Sequence, residues 1–134
     1  MFKSDYYLYK MEFESDFVHL LLKDNILEVS YKPGLHINYQ IAEKIVRDRL
    51  SFAESKKMAT MIMSNGVIGM DKPARQYLAS EEGTKNLLAT AIIVDSAFSS
   101  FLGNFFLRVN KTKMPVKIFS NIPKARKWLQ QFIV

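Results

Sequence analysis

Two short, nearly continuous apolar runs constrain this chain most: Met58-Ala-Thr-Met-Ile-Met63 and Thr90-Ala-Ile-Ile-Val94. Neither alternates between apolar and polar residues, so each reads as a central strand covered on both faces. Strands of that kind lie in parallel sheets, and parallel neighbours need a crossover between them. The intervening sequence supplies helices to make it. Pro73 suits the first turn of a short helix carrying Ala74, Tyr77 and Leu78, with Gly83 as its stop. Upstream, Ile41, Ala42, Ile45, Val46, Leu50 and Ala53 recur at helical spacing, with Glu43, Lys44, Arg47 and Asp48 on the other side and Asn38 as cap.

The same alternation continues to the end of the chain. Ser96 can cap a helix whose stripe is Phe98, Phe101, Leu102, Phe105, Phe106 and Val109. An aromatic stripe at helical spacing reads as core. Val116–Phe119 is a last strand, and Asn121 caps a final helix with Ala125, Trp128, Leu129 and Phe132 on its inner face. The start of the chain has a different rhythm. Tyr7, Tyr9, Met11 and Phe13 alternate with mostly polar neighbours, then Phe17–Leu22 and Ile26–Tyr31 flank a tight turn at Asp24-Asn25. Lys32-Pro-Gly ends that meander. The expected order is β-β-β-α-β-α-β-α-β-α. It forms one α/β domain over residues 1–134, with an antiparallel N-terminal meander followed by right-handed βα units in a mixed sheet.

Composition narrows the chemistry. The chain has no cysteine, which removes disulfides and thiolate metal sites, and only His19 and His36 are available for metal or acid–base work. No run approaches the roughly 18 apolar residues of a membrane span, and the first residues lack the apolar core of a signal peptide. A soluble, cytoplasmic protein is expected. The net charge is +6, and it is unevenly placed. After Asp95 come Arg108, Lys111, Lys113, Lys117, Lys124, Arg126 and Lys127, with no acid among them. Nucleic acid or an anionic membrane surface would suit such a stretch. These residues are spaced rather than consecutive, and a solvated basic face accounts for them.

The element order, together with Ile118-Phe119-Ser120-Asn121 and Ala125-Arg126-Lys127-Trp128-Leu129, resembles the SpoIIAA-like proteins, relatives of the STAS domain of bacterial anti-sigma-factor antagonists. The resemblance implies a SpoIIAA-like (STAS-like) mixed sheet and a regulatory role exercised by docking to a protein partner, as a homodimer. True STAS antagonists carry Asp-Ser-Ser-Gly after the strand that follows the first helix, where one serine is phosphorylated at a helix N-terminus. Here the matching stretch is Met70-Asp71-Lys72-Pro73-Ala74. The Asp is kept, but Lys72 and Pro73 replace the serines, which argues against a phosphorylation switch at that position. The loop Gly66–Lys72 is then the expected contact. A similar stretch, Asp95-Ser96-Ala97-Phe98, comes one unit later, and Ser96 there reads as a helix cap.

Ligands of open α/β sheets bind beyond the carboxyl ends of the parallel strands. That edge would gather Ser64, Asn65 and Gly66, then Asp95 and Ser96, then Ser120 and Asn121. Ser64, Asn65, Gly66, Asp71, Lys72, Asp95 and Ser96 are therefore the candidate binding residues. Each also has an ordinary duty as a cap or turn residue. No Gly-rich phosphate fingerprint is present, and Ser96 is not in a Gly-x-Ser-x-Gly elbow. His19 falls inside an apolar strand, and His36 reads as simply exposed in a loop after Pro33-Gly34. No catalytic residue, cofactor or metal is expected. The alternative to partner docking is a carrier of the SpoIIAA/Sec14-like type. It would hold an apolar or anionic small molecule or lipid between the Phe98–Val109 helix and the loop through Val67, Ile68 and Met70.

Overall fold

The computed structural model describes residues 11–94 and 114–133. The strands are β1 (Glu12–Glu14), β2 (Val18–Lys23), β3 (Ile26–Tyr31), β4 (His36–Ile37), β5 (Met58–Met63), β6 (Gly69–Met70), β7 (Leu87–Ile93) and β8 (Val116–Phe119). The helices are α1 (Tyr39–Phe52), α2 (Lys72–Leu78) and α3 (Ile122–Gln130). A mixed six-stranded sheet runs in the order β1-β2-β3-β5-β7-β8, and β4 pairs with β6 apart from it. The first three strands are antiparallel, and β3, β5, β7 and β8 are mutually parallel. The expected α/β class and mixed sheet are present. Tyr7, Tyr9 and the Phe98–Val109 stripe lie outside the described residues.

The turn between β2 and β3 shows how local chemistry sets the register. Asp24 and Asn25 both have positive φ, 53° and 63°, the pair of values that a two-residue turn matched to strand twist requires. The two side chains that tolerate this conformation stand at those positions. Val18 then pairs with Tyr31 and Leu20 with Val29, which puts the apolar residues of both strands on one face.

From β3 onward each parallel strand is added on the same side of the last. Right-handed crossovers that advance in one direction leave their helices on one face. Accordingly α1 and α2 share a face and join a core with Val18, Leu20, Leu27, Val29, Ile92 and Val116. The helix α3 follows the last strand and covers the opposite face. There Ala125 and Leu129 meet Ile26, Ala59, Met61, Ala89, Ala91 and Ile93. Asn38 and Asn121 cap α1 and α3 as their positions suggested, accepting from the amides of Ile41 and Lys124 at 2.8 and 2.9 Å. Gly83 does not stop α2. That helix ends at Leu78 with Ala79 as its cap, and Gly83 lies in the turn beyond.

Two pairings change how the charges read. The Arg126 guanidinium donates to the Glu28 carboxylate across α3 and β3, so one of the seven late basic residues is answered by an acid far upstream. The ammonium of Lys117 sits 5.5 Å from the centre of the Phe119 ring, a cation–π contact. Lys124 and Lys127 are exposed. On the same face beyond α3, Glu14 pairs with Lys32 and Glu12 with His19.

Replacing Leu129, which is fully buried, by Ala should lower unfolding free energy by about 2–5 kcal/mol. Lys127→Ala, two residues away on the wet side, should stay within about 0.5 kcal/mol. Urea denaturation of both variants measures the difference.

Candidate functional site

The described candidate residues fall on one loop, between β5 and α2. Ser64 follows the last residue of β5 and is buried, its Oγ 3.5 Å from the carbonyl oxygen of Ile93 on the neighbouring strand. The chain turns at once, with the Val67 amide donating to the Ser64 carbonyl at 3.2 Å. Gly66 has φ of +88°, and a Cβ there would stand 2.9 Å from the Cβ of Pro33. Both facts demand glycine.

The loop is then laced to the segment that leads into α1. Gly34 donates to Gly66 at 2.6 Å, Ile68 to Leu35 at 2.9 Å and Asp71 to Ile37 at 2.9 Å, all through backbone groups. Between these bonds β4 and β6 pair in parallel, His36 opposite Gly69 and Ile37 opposite Met70. The side chains on this ladder sort sharply. Val67, Met70 and Ile37 are buried in the core under α1 and α2. Ile68 points outward and is 73% exposed. Asn65 and Gly66 are exposed at one end of the ladder and Lys72 at the other.

His36 is not a free loop residue, as its place after Pro33-Gly34 suggested. It begins β4, and its Nε2 lies 2.7 Å from Oδ1 of Asp71. Its ring rests over Gly69, where a Cβ would come within 2.4 Å of Nδ1. Both partners are about half exposed. Asp71 opens α2 with its backbone, accepting from the Arg75 amide at 3.0 Å. Its side chain makes no capping bond to the helix, because the carboxylate is turned toward His36. Pro73 sits in the first turn, where no amide hydrogen is needed. Arg75 reaches back to the Met70 carbonyl at 2.6 Å, and Tyr39 meets Tyr77 edge-on at 5.2 Å, joining the start of α1 to the end of α2.

The structure thus brings Ser64, Asn65, Gly66, Asp71 and Lys72 onto one braced loop, with Ser64 beneath the surface. Asp95 and Ser96 lie outside the described residues. Asn121 spends its side chain on α3. His19 is a sheet-face residue, its Nε2 2.6 Å from Glu12. Among the described residues no group of three or more His, Asp or Glu is placed to hold a metal ion, and no helix is long and apolar enough to cross a membrane.

The sequence-family model described as a domain of unknown function (DUF7793) matches residues 20–133. The chain belongs to the DUF7793 family. The match begins within β2 and runs past α3, so the parallel part of the sheet, the braced loop and all three described helices belong to the DUF7793 domain. No curated protein matches the sequence.

One feature of the DUF7793 domain is not anticipated from its sequence. Arg49 is only 6% exposed. Its Nη1 and Nη2 donate to the carbonyls of Lys85 and Gly83 at 3.0 and 3.1 Å. The signal was present: Arg49 follows Ile45 by four residues and Val46 by three, which places it on the apolar stripe. Burial pulls its pKa down to about 10, against smaller opposing effects of Tyr31 and Tyr77. Burial likewise pushes the Tyr31 phenol up to about 12, with Arg49 opposing.

Two outcomes follow. Gly69→Ala should displace the His36 ring and cost about 1 kcal/mol by crowding, and the cost should shrink in a His36→Ala background. A double-mutant cycle in urea reads this coupling. In an alkaline titration followed by tyrosinate absorbance, one tyrosine should ionise only near pH 12, and Tyr31→Phe should remove that step. Between the free and folded values the unfolded chain releases this proton and the folded one keeps it. Taken alone, Tyr31 therefore makes stability fall as pH rises from 10 to about 12. Arg49 acts in the opposite sense over that range, because its proton is easier to lose in the folded state.

Proposed function

We propose that this DUF7793 domain is a STAS-like, non-catalytic module that regulates by docking a protein partner on the 64–72 loop. The observation that carries this reading is Ile68. A large apolar side chain, 73% exposed, stands on a backbone fixed on both sides by the Leu35 and Ile37 ladder. Along the same ladder stand the polar residues Asn65, His36, Asp71 and Lys72. An apolar anchor within a polar rim is the usual anatomy of a protein contact.

Two further features support the STAS-like reading. Four parallel strands, β3, β5, β7 and β8, follow one another in sheet order, with α1 and α2 as crossovers on one face. The resemblance places a phosphorylated serine at the start of the helix after β5. In this chain Lys72 and Pro73 occupy that start and the neighbouring Asp71 carboxylate is held by His36. Docking here therefore proceeds without phosphorylation at this position. In this reading the domain is cytoplasmic, works as a homodimer and needs no cofactor.

Affinity capture from native extract, quantified by mass spectrometry, tests the reading with wild type, Ile68→Asp and Asp71→Arg. Lys57→Glu, at an exposed position before β5, is the control. Loss of a central anchor should reduce a retained partner about 10-fold or more in the two loop variants. The control should retain it. Equal capture by all four proteins, at equal melting temperature, would overturn the assignment of this surface.

A further inference from the structure

Arg49 lies in the last turn of α1 with its charge almost wholly out of water. Buried charges are normally paired, because an unpaired one carries a large desolvation cost. Among the described residues no carboxylate pairs with Arg49; the ion pairs of the domain lie elsewhere. Its partners are two neutral carbonyls, those of Gly83 and Lys85. A guanidinium carries five N–H donors, so these bonds leave part of the fork unused.

The space beside it is a cavity of about 40 Å³ between α1, the α2–β7 turn and the face formed by β3, β5 and β7. Val29, Ile45, Ile62, Leu78 and Val116 supply most of an apolar wall, and the Tyr31 ring adds to it. Three threonines also line the cavity, but their hydroxyls are engaged. Thr60 donates to the Met58 carbonyl, Thr84 to the Ser80 carbonyl and Thr90 to the Met114 sulfur. Among the described lining residues, the cavity therefore offers one cation in a mostly apolar chamber. Its volume is open to the centres of water-sized groups, so the space takes a short chain of a few heavy atoms and is too small for a long acyl chain or a nucleotide.

We propose that this cavity binds a small monocarboxylate with a short apolar chain. The carboxylate meets the Arg49 guanidinium, whose planar fork matches its two oxygens, and the chain lies against Val29, Ile62 and Val116. The ligand supplies a negative charge that the described residues around Arg49 do not. This site is at the opposite end of α1 from the docking loop, and its existence does not rest on the docking reading.

Butyrate is the probe, with butan-1-ol as a neutral match of equal chain length, titrated into uniformly ¹⁵N-labelled protein. Butyrate should shift the amides of Gly83, Thr84 and Lys85 and the Arg49 Nε–H, with a dissociation constant of about 1 mM or tighter. Butan-1-ol should bind about 10-fold more weakly or worse. Arg49→Met should abolish the preference for the acid. Because that variant can fail to fold, Val116→Phe fills the cavity while keeping Arg49, and it should lose butyrate binding. Ile68→Asp, the docking variant, should bind butyrate as the wild type does. Absence of shifts at these amides up to about 10 mM butyrate, equal binding of the alcohol, or unchanged affinity in Val116→Phe would overturn the proposal.

Discussion

The close seating of α3 on a patch of alanines governs the architecture. Ala59, Ala89 and Ala91 present almost no side chain on their face of the sheet, and Ala125 answers them from the helix. All four are at most 1% exposed. Small residues on both sides let helix and sheet approach closely, and Leu129 and Met61 fill the remaining space. On the other face the same strands carry Thr60, Ile62, Thr90 and Ile92, and the packing there is shared by two helices. A single residue of slip in β5 would exchange these two sets and ruin both layers. The parallel register of β5 between β3 and β7 is thereby fixed from both sides.

Much of this was legible because period and length are strong signals. The nearly continuous apolar runs at Met58 and Thr90 marked the central strands, and Asn38 and Asn121 marked two helix starts. The pairing of β4 with β6 was not legible, since strands of two residues carry no periodicity and their partners are some thirty positions apart. Gly66 and Gly69 form no Gly-rich fingerprint. Their roles depend on Pro33 and His36, which only the fold brings near. Likewise the contact of Arg126 with Glu28 spans most of the chain, so counting charges in the C-terminal third overstated the unopposed positive charge.

Arg49 illustrates a different failure. A helix with Lys44 and Arg47 exposed invites the assumption that a neighbouring arginine is wet too. Yet an arginine three residues from one core position and four from another has little choice of direction. The fold accepts it by offering the carbonyls of the turn after α2, which ties the end of α1 to the 83–85 segment. Among the candidate loop residues, Ser64 and Asp71 have local backbone duties, accepting from the amides of Val67 and Arg75, whereas Gly66 accepts from Gly34 on a distant segment.

The ladder between residues 33–37 and 64–71 has an energetic consequence for recognition. Ordering one backbone residue costs on the order of 1–2 kcal/mol, and a floppy loop must meet that cost whenever it binds. Here folding has already met it, since Gly34, Ile68 and Asp71 donate their amides whether or not anything touches the surface. A partner docking as proposed would meet Ile68 on a preorganised support, so little of the contact energy would be diverted into fixing the loop. Even a small contact patch around one isoleucine can then yield measurable affinity.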